Sequence, residues 1–83
     1  MTQYIENSVN NLKEYASNKG YFITFESNDI GFIFKLYKVK FFGLYKKHLK
    51  TFQNYWKNNK GYYLNYTFDA TWEDIRRYIT YTD

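Results

Sequence analysis

The sequence predicts an α+β fold, a small three-stranded antiparallel sheet packed by helices in the order α-β-β-α-β-α. Three observations carry it. Apolar residues recur at helical spacing in three segments, and they alternate at period two in three others. Clusters of Gly, Asn and Asp punctuate the boundaries. A sheet covered by helices is the economical way to bury both patterns. Residues 1–83 read as one domain.

The first helix is expected from about Thr2 to Asn18. Ile5, Val9, Leu12 and Ala16 share one face, Thr2 caps the start, and Gly20 stands where a left-handed stop residue belongs. A strand follows from Tyr21 to Ser27, with Tyr21, Ile23 and Phe25 on one side and Phe22, Thr24 and Glu26 on the other. Ser27-Asn28-Asp29 is a turn cluster. The next strand, Ile30 to about Lys40, completes a β-hairpin. Phe41-Phe42-Gly43 reads equally as a strand end or a bend. From Leu44 to about Asn58, Tyr45, Leu49, Phe52 and Trp56 recur at helical spacing and predict a middle helix. Tyr62, Leu64, Tyr66 and Phe68 alternate as a third strand. Thr71 with Asp74 approximates a capping box for a last helix bearing Trp72, Ile75 and Ile79.

Composition narrows the function classes. There is no Cys and one His, so thiolate and multi-histidine metal frameworks are excluded. Bulk replaces such staples. Eight Phe, eleven Tyr and two Trp make up 25% of the chain, and each buried aromatic removes roughly 150–250 Å² from water. Met1–Asn7 lacks the basic and apolar regions of a secretory leader, and no apolar run is long enough to span a bilayer. A cytoplasmic location without a membrane partner is therefore expected. Lys, Asn, Tyr, Ile and Phe dominate, with two Arg and no Pro. That bias fits an AT-rich bacterial or phage genome.

Charge is segregated. Residues 1–29 and 61–83 each carry a net −2, while residues 30–60 carry eight lysines and no acid. On the expected middle helix, Lys46, Lys47, Lys50 and Lys57 lie opposite the aromatic stripe, with Lys60 just beyond. Such a basic face would attract phosphates or an acidic protein surface, or would simply be a solvated helix face. Lys35 and Lys38 fall on opposite faces of their strand and cannot both join it. Phe22, Ile33, Tyr37, Val39 and Tyr63 fall on the sheet face away from the first core stripe. If helices cover one face only, these residues form an exposed patch, as interfaces do. The alternatives are helices on both faces or closure of a homodimer.

No catalytic constellation is visible. His48 has no orienting partner nearby in sequence and is expected at the core edge of the middle helix. Asp69, Glu73 and Asp74 suit the N-terminus of the last helix better than a metal. Arg76, Arg77, Tyr78 and Tyr81 lack a base. The four glycines are too dispersed for a phosphate loop, and no cofactor is expected. An α-β-β opening is shared with double-stranded-RNA-binding domains. Those have three consecutive strands before the final helix; here a long helix is expected to interrupt them and no matching lysine motif opens the last helix, so the resemblance is not claimed.

The expected function is a small non-catalytic protein that modulates or inhibits a larger protein, one that handles nucleic acid. Size, compactness, AT-rich residue bias and lack of catalytic groups are similar in style to accessory inhibitors of phages and mobile elements, including anti-CRISPR proteins. The alternative is a nucleic-acid-binding domain of low sequence specificity acting through segment 35–60. The expected contact residues are Lys46, Lys47, Lys50, Lys57, Lys60, Phe22, Tyr37 and Tyr63.

Overall fold

The structure, a computed structural model, describes residues 3–56 and 65–82. Helix α1 spans Gln3–Asn18, followed by strands β1 (Tyr21–Ser27), β2 (Gly31–Lys40) and β3 (Tyr45–Tyr55) and helix α2 (Asn65–Thr82). The strands form one antiparallel sheet in the order β1-β2-β3. The class is α+β as expected, but the order among these elements is α-β-β-β-α.

The first half follows its sequence pattern. Ile5, Val9, Leu12 and Ala16 are the buried residues of α1. The helix stops at Gly20, whose φ of 84° is cheap only without a Cβ, and Gly20 N–H donates to the Ser17 carbonyl. Asn28 shapes the β1–β2 turn. Its Oδ1 accepts from the Ile30 and Gly31 amides at 2.8 and 3.0 Å.

The middle segment departs from expectation: β3 stands where a helix was predicted. A bulge between Leu36 and Tyr37 of β2 explains the misleading period. Leu36 faces Lys50 and Tyr37 faces His48, so Leu49 is one extra residue on β3. The extra residue reverses the parity of the strand. Leu49 and Phe52, three apart, therefore both pack against the core, with Trp56 four further on. A bulged strand has thus reproduced helical spacing.

The third strand expected at Tyr62–Phe68 is also corrected. Residues 65–82 are helical, and Phe68 is buried as a helix residue; Tyr62, Tyr63 and Leu64 lie outside the described residues. Thr71 is not a cap. It is buried within α2, donates to the Thr67 carbonyl at 2.8 Å and accepts from Asn54 Nδ2 at 3.4 Å.

Both helices lie on one sheet face. The core joins the α1 stripe to Tyr21, Ile23, Phe32, Phe34 and Leu36 from the sheet and Phe68, Ile75 and Ile79 from α2. Each fully buried large side chain here contributes about 1.5–3 kcal/mol. Phe25, Phe32, Phe34 and Phe68 form a ring cluster with centroids 4.7–6.2 Å apart, and Trp56 closes it at 4.8 Å from Phe32. The two helices run parallel. Their contacts climb in step: Tyr4 to Asp69, the Ser8 carbonyl to Trp72, and Tyr15 to Thr80.

Candidate functional site

The alternate residues of the same strands form the outer sheet face, which no described element covers. Pairing across three strands sets Phe22, Tyr37 and His48 in one row. The Phe22 and Tyr37 rings are 6.0 Å apart and the Tyr37 and His48 rings 5.4 Å apart. Phe22 is 41% exposed, Tyr37 half-buried and His48 exposed. Lys46, opposite Val39, brings its Nζ to 4.8 Å from the Phe22 ring. Thr24, Lys35 and Thr51 form the next row, and Glu26, Ile33 and Gln53 the one after. The face therefore runs from an aromatic and basic end to a polar end.

The two expected contact groups fare differently. Phe22 and Tyr37 come together on the helix-free face; Tyr63 lies outside the described residues. The single basic face predicted for a middle helix does not form, because a strand sends alternate side chains to opposite faces. Lys46 joins the outer aromatic row. Lys47 pairs with Lys38, whose Nζ lies 4.3 Å from the Tyr21 ring, on the helix side. Lys50 pairs with buried Leu36 and lies 5.0 Å from the Phe52 ring and 5.4 Å from that of Tyr78. Lys57 and Lys60 lie outside the described residues. Because β3 is a sheet edge, its lysines also oppose the addition of a foreign strand.

His48 is the residue that sequence reasoning misplaced. It stands in the open on the outer face, with Nε2 2.9 Å from Thr51 Oγ1. Only the phase of the bulge would have revealed it. Asp69, expected near a helix start, instead accepts a 2.6 Å hydrogen bond from the Tyr4 hydroxyl. That bond, with some burial and the Asp69 charge, raises the Tyr4 phenol above its usual value. Among the described residues no three His, Cys, Asp or Glu gather as a metal set would require.

A shallow groove beside β1 is lined by Lys13, Ser17, Phe22, Thr24 and Val39 among others, and it adjoins the aromatic row. What the face offers chemically is ring surface, an imidazole and ammonium groups. These serve stacking, apolar contact and attraction of negative charge. No family model, no curated protein and no solved structure matches the chain.

Proposed function

We propose that this chain is a non-catalytic binding domain that uses its helix-free sheet face to dock on and modulate a larger protein. The observation that carries the reading is the Phe22–Tyr37–His48 row with Lys46 over its end. Aromatic side chains on a rigid sheet supply contact area at little entropic cost, and half-exposed rings of this kind anchor interfaces. The complementary surface is apolar at its centre with acidic groups at the rim, opposite Lys35 and Lys46. An inhibitor of a nucleic-acid-handling machine, carried by a phage or mobile element and acting in the cytoplasm, suits the size, the AT-rich residue bias and the basic segment. The reading includes anti-CRISPR-like proteins.

Affinity capture from a host lysate tests it. The wild-type chain and Lys50→Gln should retain the same partner, while Phe22→Ser with Tyr37→Ser should lose it. Retention by the double variant would place the contact elsewhere.

A second reading, direct nucleic-acid binding, draws on one observation: Lys35 and Lys46 share a face with accessible rings, as in single-strand binders. The element order is also that of double-stranded-RNA-binding domains, now that β3 replaces the expected helix. Shared order is analogy only, and the described part of α2 carries Arg76 and Arg77 but no lysine near its start. Anisotropy of random DNA and RNA at two salt concentrations separates the readings. Binding that weakens steeply with salt favours the second.

A further inference from the structure

The β2–β3 hairpin runs past the rest of the sheet. Pairing with β1 ends at Tyr21 and Lys38, yet Val39–Lys46 and Lys40–Tyr45 continue the ladder on two strands. The turn that follows, Phe41–Gly43, has φ of 55°, 56° and 91°. Left-handed backbone suits Gly43, but at Phe41 and Phe42 it crowds the Cβ atoms, and Asn or Gly would sit there more easily. The result is to hold two rings in the open. Phe41 is 70% exposed, Phe42 fully exposed and Leu44 89% exposed, and the Tyr45 ring lies 6.4 Å from that of Phe41, tilted by 59°.

Directly behind these side chains come Lys38, Lys40, Lys46 and Lys47, within a segment from 30 to 60 that contains no acid. Large apolar groups at a tip, an aromatic ring at its base and a collar of lysines form the pattern of an interfacial anchor.

We propose that this hairpin end docks on an anionic lipid bilayer. Phe41, Phe42 and Leu44 enter the boundary between headgroups and acyl chains, Tyr45 rests at headgroup level, and the lysines meet anionic headgroups. The spacing agrees. Lys46 and Lys47 follow Tyr45 by one and two residues, roughly 3–7 Å along a strand. Interfacial elements enter a bilayer by about 5–10 Å. No described helix is long and apolar enough to cross a membrane, so the contact is peripheral. The sequence expectation of no membrane partner rested on the absence of a spanning run, which does not bear on a surface anchor. A second copy of the chain is a poor occupant, because a symmetric contact would set the two lysine collars against each other.

The chain has no cysteine, so Phe42→Cys provides a single labelling site. An environment-sensitive fluorophore there should shift to the blue with vesicles of phosphatidylcholine and phosphatidylglycerol, and far less with phosphatidylcholine alone. Co-sedimentation of the unlabelled chain should fall at least tenfold for Phe41→Asn with Phe42→Asn. Asn accepts left-handed backbone, so this variant should keep the fold, and an unchanged melting curve checks that it does. Lys46→Gln and Lys47→Gln should each weaken binding roughly fivefold. Three results would each overturn the proposal: no sedimentation at low salt, binding that leaves the label in water, or equal binding by the double Asn variant. In any of these cases, partner capture that depends on Phe22 and Tyr37 would still stand.

Discussion

The two faces of the sheet are built from alternate residues of the same three strands, yet they have opposite fates. The inner face carries Tyr21, Ile23, Phe32, Phe34 and Leu36, all buried beneath two parallel helices. The outer face carries Phe22, Tyr37 and His48, which no described element covers. Rings stand on both faces, but the helices cover only one. Both helices pack on the same side, where they share one core with the sheet. Aromatic residues on one side therefore stabilise the fold, and those on the other are available to a partner.

Truncating one ring on each side of the sheet should therefore have unequal effects. Phe34 is fully buried and touches Phe25, Phe32 and Phe68. Phe34→Ala should cost about 3–5 kcal/mol, enough to unfold much of a domain this small. Gly31 comes next. A Cβ there would stand 2.4 Å from the Asn54 carbonyl oxygen, which is backbone and cannot swing away. Gly31→Ala should cost about 1–3 kcal/mol and loosen the β2–β3 pairing. Phe22→Ala, on the open face, should cost less than about 1 kcal/mol while weakening partner capture. Urea titrations of the three variants rank them. A Phe22 cost near that of Phe34 would show that something covers the outer face.

How far the sequence carried this picture depends on the segment. From Gln3 to Lys40, helix stripe, stop glycine, Asx turn and strand parity were all legible, because each is a local signal. The residues of the outer row on β1 and β2, Phe22 and Tyr37, came from the same alternation. Beyond Leu44 the reading failed at the bulge. One extra residue at Leu49 turned period two into a mixture of threes and fours, and those spacings also describe a helix. The error then spread. A helix over Leu44–Asn58 left Tyr62–Phe68 to serve as the third strand, and it gathered Lys46, Lys47 and Lys50 onto one face. Pairing with the ten-residue β2 strand, a non-local contact, decides the matter in favour of a strand. Thr71 was misread for a related reason: a threonine inside a helix can bond the carbonyl four residues back and resembles a cap in sequence.

The smallest expected effect lies between the helices and concerns pH. Tyr4 on α1 donates to Asp69 on α2, and its phenol is raised above the usual value near 10, first by that hydrogen bond, then by desolvation and the Asp69 charge. A raised pKa in the folded state means that the native chain holds this proton when the unfolded chain has released it. The contribution to stability is therefore fully present below pH 10 and is lost as pH rises through the folded value. Tyr4→Phe should lower stability slightly at neutral pH. The gap between variant and wild type should then close as the solution is made more alkaline. The remaining tyrosines are common to both chains, so their titration cancels to first order in the difference. Urea midpoints for the pair, measured at neutral pH and again above pH 10, give the answer. A gap that stays constant or widens would mean that the Tyr4 hydroxyl does not hold the two parallel helices in step, leaving that task to the Trp72 bond to the Ser8 carbonyl and the Tyr15–Thr80 contact.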